Sequence, residues 1–269
     1  MYAFELVRPT TVAEAVAALA AEEAQALGGG QTLIPTLKQR LASPGTLVSL
    51  TGIAGMKGVA MRGGKLCIGG GTPHSVVMRE ARAHYPALAE MASWIGDPAV
   101  RNRGTIGGSL ANNDPSACYP SAALASGATI VTNAREIAAD DFFQGMFTTA
   151  LETGEIITEV RFPVPERANY QKFRQPASRF ALVGVFVAKF PDGVRVAVTG
   201  ASESGVFRWT EAEAALSADF RADALKGLKA SADGMIGDLH GTPEYRAHLI
   251  GVLTGRAVAA GPRASALVE

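Results

Sequence analysis

The chain has 269 residues, of which 48% are hydrophobic and 19% charged, which is typical of a soluble protein whose core is divided between about two domains. Lys and Arg number 25, as do Asp and Glu, and the formal net charge of zero argues against a general nucleic-acid-binding protein, which needs a basic excess. No apolar run reaches the roughly 18 residues of a transmembrane span, and the N-terminal residues lack the basic and apolar regions of a signal peptide.

The N-terminal residues predict a compact α/β unit in which strands alternate with helices. The pattern Thr11-Val12-Ala13-Glu14 is a capping box, which marks the start of an Ala-rich helix. The predicted elements, in chain order, are a strand at Phe4–Val7, a helix from Thr11 to Ala21, a strand at Gln25–Leu27, a helix from Thr32 to Leu41 and a strand at Leu47–Leu50.

The middle of the chain predicts a mixed unit with several helices. Gly69-Gly70-Gly71-Thr72 follows a predicted strand and precedes a predicted helix, and we interpret it as a tight strand-to-helix turn. The predicted elements here are strands at Lys65–Ile68, Ala128–Val131 and Val160–Pro163, and helices at Ser75–His84, Tyr85–Ile95 and Pro120–Ser126.

Residues Pro163–Asn169 are predicted to be a linker, and the sequence pattern changes after them. Apolar and β-branched residues over Phe180–Phe190 and Gly193–Thr199 predict a β-hairpin that turns at Pro191-Asp192-Gly193. Residues 171–269 are therefore expected to form a separate α+β domain. Its helices are predicted at Glu211–Leu216, Ala222–Met235 and Pro243–Ala259.

Two glycine-rich turns carry the strongest functional signal. The first is Gly28-Gly29-Gly30-Gln31-Thr32, and the second is Thr105-Ile106-Gly107-Gly108-Ser109, inside a polar stretch. Because glycine has no Cβ, an oxyanion can approach the backbone N–H groups closely, and a helix that starts there adds partial positive charge. Either turn alone is equally compatible with a structural role. Together they predict that two sets of backbone N–H groups grip a pyrophosphate from both sides, as in a dinucleotide.

The sequence offers no catalytic or metal site of its own. The nucleophile elbow G-x-S-x-G and the Walker A motif are absent, and Gly28-Gly29-Gly30 does not match the fingerprint G-x-G-x-x-G. Cys67 and Cys118 are too few for an iron–sulfur cluster, and two lone thiols indicate a reducing, cytoplasmic environment. Any chemistry is therefore expected from a bound cofactor. The histidines lack metal-ligand spacing and are interpreted as surface or helix residues: His74, His84, His240 and His248.

Both glycine segments resemble signature motifs of one family. Gly28-Gly29-Gly30-Gln31-Thr32-Leu33-Ile34-Pro35 resembles A-G-G-[QH]-[ST]-L-x-P, and Arg101–Ser109 resembles R-N-x-G-T-I-G-G-[SND]. In this order and spacing the motifs are those of the FAD-binding medium subunit of molybdenum hydroxylases, the carbon monoxide dehydrogenase and xanthine dehydrogenase type. Asp141–Gly145 and Gly154–Ile157 resemble two further family segments, so that the resemblance covers nearly the whole chain.

The resemblance implies an α+β fold with an N-terminal FAD-binding domain of two α/β subdomains, of the PCMH/VAO-like type. A C-terminal α+β domain of the CO dehydrogenase flavoprotein type follows. The FAD-binding domain is expected at residues 1–165, with subdomains at about 1–55 and 56–165, and the C-terminal domain at 171–269.

The resemblance also implies a cofactor and partners. FAD is expected on this chain, molybdopterin on a large subunit that oxidises the substrate, and two [2Fe–2S] clusters on a small subunit, assembled as a dimer of heterotrimers. Electrons are expected to pass from the clusters to the FAD and then to an external acceptor. No catalytic residue and no metal ligand are expected on this chain.

Site residues follow from the resemblance, position by position. Ile95 falls where xanthine dehydrogenase carries an aromatic residue near the adenine, Ile157 matches an apolar residue packed on the isoalloxazine, and Lys172 falls near a flavin-side lysine. The residues implied to hold the pyrophosphate are Leu27, Gly28, Gly29, Gly30, Gln31, Thr32, Leu33 and Ile34 in the first segment and Thr105, Ile106, Gly107, Gly108 and Ser109 in the second.

One position departs from the family pattern. The family often reads D-P-x-x-D-x-P after the second motif, whereas this chain reads Asp114-Pro115-Ser116-Ala117-Cys118-Tyr119-Pro120. Cys118 takes the place of an aspartate that contacts the flavin, so that a carboxylate acceptor is lost. We expect a changed flavin potential or acceptor choice, which an unaltered midpoint potential in a Cys118→Asp variant would contradict. The alternative is that Cys118 only fills space. Gly28, where the family usually has alanine, is a milder departure.

Two other functions stay open on the residues alone. One is a non-redox nucleotide-binding module on the same fold, which a yellow holoprotein would contradict. The other is a self-sufficient FAD oxidase, a class that often attaches its flavin covalently through His or Cys. No histidine adjoins either glycine turn, and a flavin that resists acid extraction would favour this alternative.

Overall fold

The N-terminal subdomain is a small parallel sheet with two helices, seen in a computed structural model that describes residues 1–260. Its elements are β1 (Glu5–Val7), α1 (Val12–Leu19), β2 (Ala24–Leu27), α2 (Leu33–Lys38) and β3 (Thr46–Ser49). The three strands pair in parallel in the order β1-β3-β2. The predicted capping box is present: Thr11 Oγ1 accepts the Glu14 N–H at 3.2 Å, and the Glu14 carboxylate accepts the Thr11 N–H at 3.3 Å.

The second subdomain combines an antiparallel sheet with a group of short helices. Its elements are β4 (Val59–Arg62), β5 (Lys65–Gly69), α3 (His74–Glu80), α4 (Pro86–Ser93), α5 (Pro98–Arg103), α6 (Ile106–Asn112), α7 (Cys118–Ser126), β6 (Thr129–Thr132), β7 (Glu136–Ala138), α8 (Ala139–Phe142), β8 (Phe143–Gly145), β9 (Thr148–Thr149) and β10 (Ile157–Pro163). The five-stranded sheet has the order β4-β5-β10-β6-β7, and β8 pairs only with β9. The helices between β5 and β6 bring the second glycine segment to the first.

The C-terminal region forms a four-stranded antiparallel sheet in the order β11-β12-β13-β14. Its elements are β11 (Arg167–Arg174), β12 (Ala181–Phe190), β13 (Gly193–Ser202), β14 (Gly205–Arg208), α9 (Thr210–Ala218) and α10 (Pro243–Ala259). The predicted hairpin is confirmed as β12 and β13, and α10 has the predicted bounds. Residues 261–269 of the predicted C-terminal domain lie outside the described residues.

Strand β12 is buried on both faces and joins two hydrophobic cores. Val183, Val185 and Val187 pack in one core with residues of α9 and α10, whereas Phe186 and Ala188 pack in the core of the second subdomain. Successive side chains of a strand point to opposite faces, so one sheet can serve both cores. The C-terminal sheet is therefore packed tightly onto the residues that precede it.

Helix α7 lies between these layers. All of its residues, Cys118–Ser126, are buried, because it contacts α4, α6 and β10 as well as β12 and β13. A helix enclosed on every side has no solvent-facing stripe, which explains why its sequence shows no polar face. The first residue of this helix is Cys118.

Three sequence predictions are wrong in part. The predicted linker is irregular only as far as Glu166, because β11 begins at Arg167 and pairs with β12; the expected domain start at 171 therefore falls inside a strand. The helix predicted at Ala222–Met235 is only a 3-10 turn at Ala222–Leu225, since Gly227 and Gly234 adopt left-handed φ angles of 86° and 68°. The second glycine turn is the first turn of α6.

Candidate dinucleotide-binding site

A cavity of about 670 Å³ opens between the N-terminal subdomain, the second subdomain and the C-terminal sheet. This volume is in the range of cofactor pockets. The predicted site residues that line it are Leu27, Gly28, Gly29, Gly30, Gln31, Thr32, Leu33, Ile95, Thr105, Gly107, Gly108, Ser109, Cys118, Ile157 and Lys172.

Two predicted site residues do not line the cavity. The Ile106 side chain is fully buried in the core of the second subdomain with Leu110. Ile34 packs beneath the first glycine turn, where a Cβ on Gly30 would lie 2.9 Å from its Cγ1. Both residues pack behind the turns and lie outside the cavity lining.

The first glycine turn presents a row of unpaired backbone donors. It leaves the carboxyl end of β2, the edge of a parallel sheet at which α/β folds bind ligands. Within residues 1–260 the N–H groups of Gly28–Thr32 donate to no protein acceptor. The turn is held by other groups, since the Gln31 side chain donates to the Gly29 carbonyl at 3.1 Å and the Ile34 N–H to the Gly30 carbonyl at 3.1 Å. These free donors fit a diphosphate.

The second glycine segment works differently from the prediction. Its N–H groups from Ile106 to Ser109 are already occupied: Gly107 donates to the Gly70 carbonyl at 2.9 Å, Gly108 to Thr105 Oγ1 at 3.1 Å, and Ser109 to the Thr105 carbonyl at 3.0 Å. The expectation of two backbone N–H cradles is therefore wrong for this segment. What its glycines allow is close packing, because a Cβ on Gly107 would collide with the Gly70 backbone and one on Gly108 would crowd Thr105 Oγ1.

The two glycine segments touch each other. A Cβ on Gly28 would lie 3.1 Å from Thr105 Oγ1 and 3.9 Å from the Gly108 Cα, and a Cβ on Gly29 would collide with the backbone of Arg103 and Gly104. The absence of side chains thus lets two distant parts of the sequence form one continuous wall. Their common function could be inferred from the sequence, but not their contact.

The third glycine cluster has a role that the sequence did not reveal. It forms the predicted strand-to-helix turn between β5 and α3, and Gly70 and Gly71 also line the cavity. A Cβ on Gly107 would lie 2.6 Å from the Gly70 carbonyl oxygen. Glycine is therefore needed at position 107, whereas a Cβ on Gly70 would collide with the backbone of Ile157. These close contacts position α6 against the cavity.

Cys118 and Lys172 meet at the other side of the cavity from the N-terminal subdomain. Lys172, on β11, donates from Nζ to Cys118 Sγ at 3.3 Å and to the Trp94 carbonyl at 3.1 Å. Ile95 directly follows Trp94, so it lies at the same end of the cavity as Lys172. An adenine beside Ile95 and a flavin beside Lys172 are therefore two predictions of which only one fits this arrangement.

Polar contacts of the residues just before Ile157 hold it in the cavity wall. The preceding Ile156 N–H donates to Asn133 Oδ1 at 2.8 Å. The Glu155 carboxylate accepts from Arg135 Nε at 3.1 Å and from Thr132 Oγ1 at 2.6 Å. These contacts, the Arg135 hydrogen bond above all, lower the pKa of Glu155 to about 2.

We expect Glu155→Gln to weaken the hydrogen bonds of this carboxylate with Arg135 and Thr132. The variant should lose about 2 kcal/mol of unfolding free energy at neutral pH, since hydrogen bonds to a charged group are lost. Because the pKa of Glu155 falls on folding from 4.5 to about 2, its contribution is present above pH 4.5 and is lost as the pH falls towards 2. Urea unfolding at pH 7 and pH 3 checks this. Glu152→Gln, whose side chain is 78% exposed, is the control and should change little.

His74, interpreted from sequence as a surface or helix histidine, is buried in the cavity wall at the start of α3. Its ring packs against Tyr119 with centroids 5.2 Å apart, and its Nδ1 has no hydrogen-bond partner. Burial, with a smaller contribution from the positive charge of Arg101, lowers the pKa of His74 to about 4. The imidazole is therefore neutral at physiological pH.

We expect His74 to make the protein acid-sensitive. Its pKa falls on folding from 6.5 to about 4, so that the unfolded chain binds the extra proton first and stability decreases as the pH falls through this window. The wild type should lose about 2 kcal/mol between about pH 7.5 and about pH 5, and His74→Gln should lose much less. Denaturant unfolding at both pH values checks this. Equal losses in both proteins would contradict it; the exposed His84→Gln variant is the control.

Within residues 1–260 no helix is long and apolar enough to cross a membrane, and no group of three His, Cys, Asp or Glu side chains is placed to bind a metal. The fold and the cavity, with unpaired backbone donors at the end of a parallel strand, define a protein that binds a dinucleotide cofactor.

Comparisons with known proteins identify the family. The family model described as the FAD binding domain in molybdopterin dehydrogenase matches residues 2–165. The carbon monoxide dehydrogenase medium chain of Afipia carboxidovorans is 33% identical over 95% of both chains, and the nicotine 6-hydroxylase medium subunit of Paenarthrobacter nicotinovorans is 32% identical over 88% of this chain and 89% of that one. The solved structure of reconstituted CO dehydrogenase from Oligotropha carboxidovorans matches with a TM-score of 0.88 and 32% identity, over 96% of this chain and 97% of that one. The chain belongs to the family of FAD-binding medium subunits of molybdenum hydroxylases.

Proposed function

We propose that this chain is the electron outlet of a molybdenum hydroxylase. It holds FAD in the cavity, receives electrons from [2Fe–2S] clusters on a small subunit and passes them to an external acceptor, while a large subunit with molybdopterin oxidises the substrate. The observation that carries the proposal is the row of unpaired N–H groups at Gly28–Thr32, which opens into a cavity of about 670 Å³. FAD, when bound, accepts and releases electrons one or two at a time.

The residues of this chain bind and orient the cofactor. The N–H groups of Gly28–Thr32 hold the diphosphate, and Gly107 and Gly108 let it lie against α6. Ile95 and Ile157, which line the cavity, cover the ring system at the Lys172 end and exclude water from it. The hydrogen bonds of Lys172 fix its ammonium group at that end.

Among the described residues, the carboxylates and the histidine of the cavity wall are not paired with one another for acid–base chemistry. Asp114 accepts from the Ser116 N–H at 2.8 Å, Glu155 is paired with Arg135, and His74 is buried and neutral. We therefore propose that the isolated chain retains FAD and oxidises no organic substrate. Turnover of a substrate by the chain alone would contradict this.

The relatives of this chain do not share one substrate. The relatives carry names for enzymes that act on carbon monoxide and on nicotine, at nearly the same identity. We propose that the large subunit selects the substrate. A cytoplasmic location is also proposed, supported by two cysteines that are both buried free thiols.

The first experiment is the absorption spectrum of the purified chain before and after acid precipitation. Flavin absorbance that moves to the supernatant supports non-covalent FAD. Flavin that stays with the pellet would favour the self-sufficient oxidase instead, and a chain that takes up no FAD would overturn the proposal.

The second experiment tests electron flow in the assembled complex. With substrate added, the clusters should be reduced before the flavin, and a complex lacking FAD should reduce its clusters but not the external acceptor. Acceptor reduction at the wild-type rate without FAD would overturn the outlet role.

A further inference from the structure

Lys172 is a half-buried cation that has no carboxylate among its hydrogen-bond partners. Its Nζ donates to the Trp94 carbonyl and to the Cys118 thiol, and within the described part of the chain it forms no ion pair with a carboxylate. The side chain lines the cavity, so its uncompensated charge faces any molecule bound there. Charges that are partly buried are screened far less than exposed ones.

The other ionisable groups of the cavity wall do not neutralise this charge. Neither carboxylate in the wall forms an ion pair with Lys172: Asp114 accepts the Ser116 N–H, and Glu155 is paired with Arg135. Arg179 adds a second positive charge at the exposed rim, where its guanidinium lies 3.5 Å from the Gly96 carbonyl. His74 is neutral.

The Tyr170 hydroxyl, buried beside Cys118 and without a hydrogen-bond partner, is kept neutral because burial raises its pKa. The Lys172 end of the cavity therefore holds a positive charge. No described carboxylate at this end forms an ion pair that would compensate it.

We propose that Lys172, left uncompensated because residue 118 is a cysteine, raises the midpoint potential of the bound flavin. The inference rests on the proposed function. The ring system of oxidised flavin is neutral, whereas fully reduced flavin carries a negative charge on its pyrimidine ring at neutral pH. A fixed cation therefore binds the reduced form more tightly, and this difference in affinity is a shift in potential.

The position of the partners favours the isoalloxazine over the other parts of the cofactor. The N–H groups of the first glycine turn are already assigned to the diphosphate. Trp94 and Cys118, the hydrogen-bond partners of Lys172, belong to neither glycine segment. The adenine does not change its charge during electron transfer. The wall contributed by the N-terminal subdomain near Thr36 and Thr51 carries no ionised group. The isoalloxazine is the only part of FAD whose charge changes on reduction. The positive charge of Lys172 therefore has its largest effect on the redox equilibrium when it lies beside that ring.

Residue 118 decides whether the charge is compensated. Cys118 is the first residue of α7 and its Sγ lies 3.3 Å from Nζ, a distance at which a carboxylate would form an ion pair. Such a pair would remove the preference for reduced flavin. The cysteine at this position therefore keeps the outlet at a higher potential.

The test measures two quantities for each variant of the full-length chain. Spectroelectrochemistry gives the midpoint potential of bound FAD, and flavin fluorescence gives the Kd of oxidised FAD. In Lys172→Met the affinity for reduced FAD should fall at least about tenfold more than that for oxidised FAD, which equals about 30 mV for a two-electron couple. Lys172→Arg keeps the charge and should stay close to the wild type. Lys189→Met, on the neighbouring strand but outside the cavity, is the matched control and should change neither quantity.

The second set of variants changes Cys118, the neighbour of Lys172. Cys118→Asp should lower the potential as Lys172→Met does, whereas Cys118→Asn, of the same shape but uncharged, should not. If Lys172→Met weakens both redox forms equally at an unchanged potential, Lys172 binds another part of FAD and the inference is wrong. The inference also fails if Cys118→Asp and Cys118→Asn share one potential. A wild-type chain that takes up no FAD would overturn the proposed function and this inference together, whereas unchanged potentials in a complex that still transfers electrons overturn only the inference.

Discussion

The Gly29→Ala variant is expected to fold less stably and to be purified without FAD. A Cβ at Gly29 would collide with the backbone of Arg103 and Gly104, which cannot move aside as a flexible side chain could. The turn must therefore shift, and the row of N–H groups that faces the cavity shifts with it. Overpacking of this kind costs about 1–3 kcal/mol of unfolding free energy. Flavin absorbance of the purified chain and its urea midpoint measure both effects.

Gly28→Ala is the matched control for this prediction. Its Cβ would lie 3.1 Å from Thr105 Oγ1, a tight contact with a side chain that can adjust, and the family motif carries alanine at this position. We expect FAD to be retained with a small change in affinity. If Gly29→Ala binds FAD as tightly as Gly28→Ala does, the backbone of the first glycine turn does not hold the cofactor.

The Asn113→Ala variant should lose about 3 kcal/mol of unfolding free energy. Asn113 ends α6 in a left-handed conformation with φ at 41°, and its buried Nδ2 donates to the Gly145 and Thr148 carbonyls at 2.8 and 2.9 Å. Alanine loses both hydrogen bonds, each worth about 1 kcal/mol, and adopts the left-handed conformation at a cost of about 1 kcal/mol more. Denaturant unfolding measures the sum.

Asn113→Gly separates the two causes. Glycine also loses the hydrogen bonds but adopts a positive φ without strain, so it should be about 1 kcal/mol more stable than the alanine variant. Asn102→Ala, at an exposed position of α5, should change little. Equal stability of Asn113→Ala and the wild type would mean that the β8–β9 turn is not anchored by α6.

The local elements were predicted well where short-range chemistry decides them. The capping box at Thr11, the hairpin turn at Asp192 and the helix that begins at Pro243 each depend on a few neighbouring residues. The helix predicted at 222–235 failed because its periodic apolar residues did not outweigh Gly227 and Gly234. β11 was missed because its first residues are polar, and only pairing with β12 makes Arg167–Asn169 a strand.

The site was predicted as a set of residues but not as an arrangement. Glycine motifs identified the two segments, yet only the fold shows that the second one uses its own N–H groups internally. The contact of Lys172 with Trp94 and Cys118 joins residues that are far apart in sequence, so no local pattern could locate Ile95 beside it. His74 was missed since a single histidine carries no signal of burial.

The cavity draws its walls from three parts of the chain, β2 with its glycine turn, α6 with α7, and β11, so a bound cofactor connects them. A ligand that binds only the folded state adds stability by mass action, about 2.7 kcal/mol at a hundredfold excess over Kd. A chain without its cofactor should therefore open more often than the loaded chain and be cut faster by a protease.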